Sequence, residues 1–482
     1  MNFNADISSK SVIKSFGWKL LERLASQGIN LVVQIVLARL LMPDDFGKLA
    51  IVVAITNYVS IFVQAGLATA IIQKEDLDDL DISTLLVASL GVAAVLYAVL
   101  FAVAPIIARY YESPELIWVI RILSITLFLN AINSIQTAIL SRRMQFRRLF
   151  LRSLIAVPVS GTVGIVAAYM GLGIWALVAQ QLTNISVVVI VMSVGADMRI
   201  GFRFSLDRAK KIYAFSGKIL ISNLITGGYD ALRTMVIGRK YDSVALAYYD
   251  KANSYSYYVV QIVNGAISSV LLPAFSRKQS NLVELKVMAR KRVSVTAFVL
   301  FPVLVGVAAV AEPLVLFLLT DTWMAAVPYL FVFCILRLPG CIMSIDKQVY
   351  YALGYSDILL KYELGLAVVN LTALLVAIRH SVIAIAVCAL VTEYIGAAVL
   401  SYVSAKVYDY RIRERLQDLA LPAVNSLLMF AVVAWVGRVV ELAVFPRLVL
   451  QVFVGTISYV VLAYLTKDEN LRYCANLIKR AL

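Results

Sequence analysis

Long apolar stretches alternate with short polar ones along the whole chain. A helix needs about 20 predominantly apolar residues to cross a bilayer. Windows of that length predict about fourteen transmembrane helices, at 17–41, 46–73, 82–108, 116–140, 153–171, 174–196, 212–238, 245–272, 293–319, 325–352, 360–378, 382–404, 418–437 and 446–465. Because the last two are weaker, twelve helices with a peripheral pair describe the same pattern. Either interpretation predicts an all-α polytopic membrane protein without a sizeable soluble domain.

Polar side chains recur at helical spacing inside several of these apolar stretches. Intervals of three and four residues place side chains on one face of a helix. The stripes are Arg23, Gln27, Asn30 and Gln34 in helix 1; Asn57, Ser60 and Gln64 in helix 2; Thr126, Asn130, Asn133, Gln136 and Thr137 in helix 4; Asn223, Gly227, Asp230, Arg233 and Thr234 in helix 7; Asn253, Tyr257, Gln261, Asn264 and Ser268 in helix 8; and Arg337, Ser344, Asp346, Lys347 and Gln348 in helix 10. Within helix 7, Asp230 and Arg233 are close enough to form an ion pair.

These stripes predict a hydrated cavity in each half of the chain. A charge at the bilayer centre costs about 2.5–3.5 kcal/mol on insertion scales, so charged residues face the bundle interior or water. The candidate cavity residues are Arg23, Gln27, Asn30, Gln34, Asn57, Gln64, Asn130, Asn133, Asn223, Asp230, Arg233 and Asn264. The alternative is structural: amides can bond neighbouring helices together, and Asp230 with Arg233 can form an ion pair that fixes helix packing.

The first and seventh predicted helices resemble each other when the sequence is shifted by 200 positions. Without a gap, Gly17 aligns with Gly217, Leu20 with Leu220, Leu24 with Leu224, Gly28 with Gly228, Val36 with Val236 and Arg39 with Arg239. Six helices separate the two copies, so both cross in the same direction. This predicts a parallel repeat, a plan in which secondary transporters place their substrate site between the halves. The predicted divisions are 1–200 for helices 1–6, 201–405 for helices 7–12, and 406–482 for helices 13–14 and a cytoplasmic tail.

The loops carry most of the net charge of +15. The basic loops are 142–152, 199–211, 277–292 and 406–415, all on one side under this count of helices. Lys and Arg accumulate in cytoplasmic loops, so both termini are predicted to be cytoplasmic in a multi-pass protein. The acidic segment KEDLDDLD at 74–81 falls on the same side, but acidic residues contribute little to this rule.

Composition excludes several classes of function. The chain is 61% hydrophobic and 15% charged, whereas soluble proteins have about 45–50% apolar and about 25% charged residues. Basic cytoplasmic loops explain the positive charge, so a nucleic-acid partner is not expected. A single histidine and four cysteines without a CxxC pair argue against a metal centre. The chain has no GxxxxGK[ST] loop, which argues against nucleotide-driven transport.

Five segments resemble the polysaccharide transporters of the multidrug/oligosaccharidyl-lipid/polysaccharide (MOP) superfamily. They are LARLLMPDDFG (37–47), AGLATAIIQ (65–73), RFSLDRAKKIYAFSGKIL (203–220), VIGRKYDSVALAYYDKANSY (236–255) and LLPAFSRKQ (271–279). Within the superfamily, the pattern is most similar to the colanic-acid-type flippases for undecaprenyl-diphosphate-linked repeat units. The resemblance covers residues 12–280, and beyond helix 10 it rests on span count and loop charge.

The resemblance implies two six-helix lobes around a central cavity, with a C-terminal helix pair. It implies export of undecaprenyl-diphosphate-linked oligosaccharide from the inner to the outer leaflet of the cytoplasmic (inner) membrane by alternating access, for exopolysaccharide or lipopolysaccharide synthesis. A cationic cavity holds the diphosphate and sugar, and the positions that match are Arg23 and Asp230 with Arg233. The helix-1 stripe holds only one charged residue, so this cavity is modestly cationic. The implied partners are membrane lipids and the polymerase and export machinery.

Two questions about the mechanism stay open at the level of sequence. The membrane potential can drive an anion outward by about 2.3 kcal/mol per charge per 100 mV. Alternatively, Asp230 binds H+ or Na+ and couples its return; no other cofactor is predicted. The main alternative function is a multidrug or cation-coupled exporter of the same fold. A membrane polysaccharide polymerase is less favoured, because no outward loop exceeds about a dozen residues on this count. We therefore expect a transporter and not an enzyme.

Overall fold

The computed structural model describes residues 27–64, 71, 78–143, 145–194, 203–276 and 281–481, which are mostly helical. The first helices are α1 (Gln27–Leu40), α2 (Pro43–Gln64), α3 (Asp79–Tyr110), α4 (Leu116–Leu123), α5 (Thr126–Arg142), α6 (Phe146–Tyr169), α7 (Ile174–Val194), α8 (Leu206–Lys240) and α9 (Ser243–Ser276). The later helices are α10 (Leu282–Ala309), α11 (Ala311–Leu318), α12 (Val327–Leu336), α13 (Gly340–Leu353), α14 (Ser356–Ala377), α15 (Val382–Tyr408), α16 (Ile412–Val439), α17 (Val444–Leu465) and α18 (Glu469–Ala481). Arg23 lies outside the described residues.

Ten segments in the described part of the chain are long and apolar enough to cross a membrane. They are α2, α3, Leu116–Arg142, most of α6, α7, α10, most of α14, and α15, α16 and α17. The prediction of an all-α polytopic membrane protein is confirmed at this level. The remaining predicted spans overlap α1, α8, α9 and the pair α12 and α13. The number of about fourteen crossings stays a prediction.

Three predicted spans are interrupted in the structure, and each of them contains parts of two helices. The span 116–140 is split into α4 and α5 at Ser124, whose hydroxyl donates to the Ile120 carbonyl (2.7 Å) beside the backbone hydrogen bond to the same oxygen. The span 325–352 contains α12 and α13, separated beside Pro339, whose ring removes a backbone donor. The span 293–319 is divided between α10 and α11 at Val310.

The chain divides into two compact units, residues 1–247 and 248–482. α8 belongs to the first unit, whereas the sequence repeat assigns it to the second predicted lobe. The lobe boundaries 1–200, 201–405 and 406–482 come from the repeat and remain predictions.

Glycines bring α8 close to α2 within the first unit. A Cβ atom at Gly227 would lie 2.6 Å from Ile61 Cδ1, and one at Gly238 would lie 2.8 Å from Ile51 Cδ1. Both distances are shorter than a van der Waals contact, so a larger residue at either position would require the isoleucine side chain to move. Small residues at helix interfaces allow the same close approach in membrane proteins generally. The close packing positions the polar stripe of α8 beside α2.

Two residues of the acidic segment, Asp78 and Asp81, pair with a basic residue of α8. Arg208 at the start of α8 forms ion pairs with Asp78 and with Asp81, the latter at 3.1 Å. Asp78 also caps α3 by accepting a hydrogen bond from the Asp81 amide. The hydrogen bond from Arg208 is the main cause that lowers the pKa of the Asp78 carboxyl. These acidic residues therefore neutralise a neighbouring cation, which explains why they occur between basic loops.

In the second unit, an ion-pair network joins the start of α10 to the segment between α15 and α16. Lys286 pairs with Asp409 (3.1 Å) and Glu414 (3.0 Å), and Arg290 pairs with Glu414 (3.1 Å) and Asp418 (2.8 Å). The hydrogen bond from Lys286 is the main cause that lowers the pKa of Asp409. The network lies at one end of these helices and fixes their mutual packing.

A buried ion pair lies beside this network. Arg415 Nη2 is 2.9 Å from Asp346 Oδ1, and their side chains are only 2% and 0% exposed. The Tyr408 hydroxyl donates to the same carboxylate, and the Arg415 guanidinium stacks over Tyr410 at 4.1 Å. Asp346 belongs to the predicted polar stripe of helix 10, but its neighbours are core residues. It therefore holds α13 to α15 and α16.

Candidate functional site

The predicted stripe on helix 1 is described from Gln27 onward. Gln27, Asn30 and Gln34 are half-buried on α1. Gln34 Nε2 lies 3.5 Å from Gln180 Oε1 on α7, so this amide links two helices weakly. The side-chain oxygen of Gln27 is buried and has no hydrogen-bond partner among the described residues. Gln34 is thus consistent with the alternative that amides bond neighbouring helices together. The side-chain oxygen of Gln27 can still accept a hydrogen bond.

The polar stripe predicted on helix 4 lies on α5 and contacts an arginine that was not among the predicted site residues. Arg152 on α6 donates from Nη1 to Asn133 Oδ1 and to Thr137 Oγ1, each at 2.9 Å. The same nitrogen is 3.8 Å from Met192 Sδ on α7. Asn130, one turn before Asn133, is half-buried. Arg152 is therefore a cation inside a candidate membrane span, supported by two of the polar residues that the spacing predicts.

Arg152 was missed because it is the last residue of the predicted basic loop 142–152, where its charge was counted. The helix α6 begins at Phe146, so Arg152 is already more than one turn inside it. Arg147 and Arg148, near the start of the same helix, are exposed. Arg152 differs from Arg147 and Arg148 in its distance from the start of the helix. The predicted start at 153 placed all three arginines outside the helix, so this difference could not be seen.

The ion pair predicted on helix 7 is present in the structure, where it lies on α8. Arg233 Nη2 lies 3.0 Å from Asp230 Oδ1. The two side chains differ in exposure: that of Arg233 is 15% exposed and that of Asp230 is 66% exposed. The guanidinium also lies over the Tyr229 ring at 5.4 Å. Arg233 is thus the buried anchor, and Asp230 is the accessible member.

The other predicted site residues are dispersed. Asn57, Gln64 and Asn223 are exposed, and Gln64 Nε2 is 3.4 Å from Ser60 Oγ on its own helix. The side chain of Asn264 lies outside the described residues. Within the described range, the candidate residues of the first unit do not form one continuous cluster.

The second unit contains a further cluster of charges within the helices. Arg337, which follows α12, donates to Asn253 Oδ1 on α9 (2.6 Å) and lies over the Tyr257 ring at 5.3 Å. Lys347 on α13 pairs with Glu363 on α14 at 2.6 Å. Arg337 and Lys347 appear in the predicted stripe of helix 10 but were not chosen as site residues.

The sequence interpretation also missed the two acids of this cluster. Glu363 and Glu393 are acids within the apolar helices α14 and α15. Glu393 is within electrostatic range of both Arg337 and Lys347. An ionisable residue within a membrane span is a functional candidate by default, and that rule could have identified both acids.

Contacts inside the two units follow a common pattern. In the first unit, Gln136 donates to Ser193 (2.9 Å), and in the second, Asp346 interacts with Ser404. These residues are 210 and 211 positions apart in the sequence. Thr137 with Arg152 and Lys347 with Glu363 are related by the same two offsets. The matching positions hold different charges, so similar helix contacts serve different chemistry in the two units.

The described side chains offer cations, amides and hydroxyls within membrane-crossing helices. Arginine binds phosphate oxygens through a planar fork, and amides and hydroxyls match sugar hydroxyls. Among these residues there is no cluster of three or more side chains suited to a metal ion. These residue types, although dispersed, are the ones that bind polar, anionic groups.

Comparison with known proteins agrees with this chemistry. Residues 36–328 match the profile of a family described as polysaccharide biosynthesis proteins. The chain is 26% identical over 479 residues to the succinoglycan biosynthesis transport protein ExoT of Rhizobium meliloti (strain 1021), covering 97% of this chain and 95% of that one. The resemblance to polysaccharide transporters is confirmed.

Two solved structures share the fold. One is the lipid II flippase MurJ in an inward closed conformation, with a TM-score of 0.79, 14% identity and coverage of 93% of this chain and 98% of that one. The other is an inward-facing multidrug resistance MATE transporter of the MOP superfamily, with a TM-score of 0.59, 12% identity and coverage of 83% and 98%. This multi-pass membrane protein therefore has a MOP-superfamily fold and belongs to the polysaccharide biosynthesis protein family.

Proposed function

We propose that the protein is a flippase that moves undecaprenyl-diphosphate-linked oligosaccharide repeat units from the inner to the outer leaflet of the cytoplasmic membrane. It works by alternating access and serves exopolysaccharide or lipopolysaccharide synthesis. The observation that carries this proposal is Arg152, a guanidinium inside a candidate span held at 2.9 Å by both Asn133 and Thr137. An arginine there is costly unless it has a function or a firm structural role.

The chemistry of the substrate accounts for the residue types. A diphosphate cannot enter hydrocarbon without compensation, and arginine compensates it with charge-assisted hydrogen bonds. Arg152 and Arg23 supply charge for anionic groups of the substrate, while amides such as Gln27 and Asn130 bind sugar hydroxyls. The polyprenyl tail stays in the bilayer, where it needs no protein partner. An inside-negative potential favours outward movement of the anion.

A reconstituted system tests this function directly. Proteoliposomes are loaded with candidate lipid-linked oligosaccharides, and an external glycosidase reports which ones reach the outer leaflet. We expect transfer by the wild type and slower transfer by Arg23→Ala and Asp230→Asn. Arg379→Ala, which changes an exposed arginine between α14 and α15, is the matched control and should transfer normally.

Two outcomes of that assay would overturn the proposal. One is the absence of transfer for every lipid-linked oligosaccharide together with efficient uptake of a cationic dye, which would favour a multidrug exporter. The other is chain extension of the sugars, which would indicate a polymerase. Wild-type rates in both Arg23→Ala and Asp230→Asn would show that these two residues only support packing.

The orientation proposed from loop charge is tested by cysteine labelling in a background without native cysteines. Val283, at the start of α10, is 72% exposed, and Glu441, between α16 and α17, is also exposed. We expect Val283→Cys to resist an impermeant reagent added outside intact cells, because its loop is basic and therefore cytoplasmic. Glu441→Cys should react. The reverse pattern would invert the proposed topology.

A further inference from the structure

Glu393 is a carboxylate inside a candidate span with no direct partner among the described side chains. It is half-buried in α15, which runs from Val382 to Tyr408. No hydrogen bond or ion pair to its carboxylate is found within the described part of the protein. A carboxylate away from water keeps its charge only when cations or hydrogen-bond donors stabilise it. The charge state of Glu393 therefore depends on its more distant neighbours.

Those neighbours are two cations that are already bound to other residues. Arg337 and Lys347 act on Glu393 electrostatically, but Arg337 donates to Asn253 and Lys347 pairs with Glu363. Glu363 adds a negative charge nearby. Burial disfavours the charged form of Glu393, and the field of the two cations opposes that cost without direct contact. Anything that neutralises Arg337 or Lys347 removes that stabilisation.

A second polar group without a partner lies beside Glu393. The Tyr362 side chain on α14 is 8% exposed, and its hydroxyl has no hydrogen-bond partner in the described residues. A Cβ atom at Gly396 would lie 2.8 Å from that hydroxyl, so the ring tip packs against α15 one turn after Glu393. Buried polar groups normally have partners, so an unpartnered hydroxyl indicates a place for a ligand or a proton.

Among the charges on the helices packed against α15, those that act on Glu393 are Arg337, Lys347 and Glu363. Apart from Arg337, Lys347 and Glu363, the titratable groups of these helices include Tyr350 and Asp346 on α13, Lys286 and Arg290 on α10, and Glu414, Arg415 and Asp418 on α16. All of these residues except Tyr350 belong to the ion pairs at the end of the helices. Tyr350 shares a hydrogen bond with Ser404.

We propose that Glu393 takes up one proton when an anionic group binds Arg337 and Lys347. The proton from solvent adds to a carboxylate oxygen and forms a neutral acid, and it leaves again when the anion departs. No other bond is made or broken. One negative charge is thereby removed from beside the bound anion. The anion is the diphosphate of the substrate, so this inference rests on the proposed function.

The mechanism assigns a direction to the pH dependence. If binding takes up a proton, affinity rises as pH falls, by at most about tenfold per pH unit for one linked proton. A permanently neutral residue at position 393 removes the dependence. Glu393→Gln should bind with the affinity that the wild type reaches only at low pH.

The test uses calorimetry on the purified full chain in detergent. The probe is farnesyl-diphosphoglucose, because a diphosphate diester keeps both charges across neutral pH. Titrations in two buffers with different ionisation enthalpies count the protons taken up. We expect uptake by the wild type and by Glu393→Asp, and none by Glu393→Gln. Glu441→Gln, an exposed acid of the same unit, is the matched control and should behave as the wild type.

The outcomes separate the two proposals. Absence of probe binding to the wild type overturns the proposed function and this inference with it. Binding with equal proton uptake in the wild type and in Glu393→Gln overturns only the role of Glu393. A Glu393→Gln variant that fails to fold leaves Glu393→Asp and wild-type proton counting as the test, and zero uptake there contradicts the inference.

Discussion

Arg415→Ala should destabilise the folded protein more than any other single change considered for this chain. The substitution leaves Asp346, whose side chain is fully buried, without its ion-pair partner. Breaking a buried pair from one side costs about 3–5 kcal/mol. We expect a large fall in the thermal midpoint of the protein in detergent. Size-exclusion chromatography should show a low yield of monodisperse protein.

A neighbouring arginine, Arg411, provides a matched control for this prediction. Arg411 also pairs with an aspartate, Asp409 at 3.1 Å, but both side chains are mostly exposed, at 74% and 63%. Exposed pairs contribute about 0–1 kcal/mol, so Arg411→Ala should change the midpoint little. The double change Asp346→Leu with Arg415→Met should recover much of the loss, because no buried charge remains. Equal effects of Arg411→Ala and Arg415→Ala would contradict the importance of burial.

Arg152→Ala should produce the largest loss of transport without loss of folding. Removing a buried charge-assisted contact to an anionic ligand costs about 2–5 kcal/mol, and about 1.4 kcal/mol corresponds to a factor of ten. We therefore expect transfer of the lipid-linked oligosaccharide to fall by about 100-fold in proteoliposomes. Arg152→Lys keeps the charge but loses the planar fork, so it should retain part of the activity.

Arg148→Ala is the matched control for that substitution. It removes the same side chain one turn earlier on α6, where the residue is exposed. Its transfer rate should stay close to that of the wild type. If Arg152→Ala transports normally while remaining folded, Arg152 only joins α6 to Asn133 and Thr137, and the observation that carries the proposed function fails.

Sequence reasoning recovered those features that depend on local spacing or on the bilayer. The bilayer requires long apolar helices, so runs such as 382–404 identified α15 without knowledge of its neighbours. The spacing of Asp230 and Arg233 predicted their ion pair, because residues three apart on a helix always lie close together. The family was also recognisable, because segments such as LARLLMPDDFG retain their pattern.

Features that depend on which helices are neighbours could not be predicted from the sequence. Gln136 and Asp346 both have helical stripe spacing, but the first bonds Ser193 and the second pairs with the buried Arg415. Spacing does not distinguish a residue facing a cavity from one facing another helix, because both need a polar face. The sequence also predicted continuous helices across Ser124 and Pro339, because the hydropathy is unbroken there, whereas the structure interrupts the helix at both positions.

By itself, the sequence determined that this chain crosses a membrane many times, that it resembles polysaccharide transporters, and which helices carry polar faces. Only the tertiary structure decided that Arg152 is held by Asn133 and Thr137, that Asp346 is part of the core, and that Glu393 has no direct partner in the described residues. The physical reason is that apolar burial and helical periodicity are properties of single segments. Compensation of a charge within the membrane depends on groups from other helices, which meet only in the folded protein.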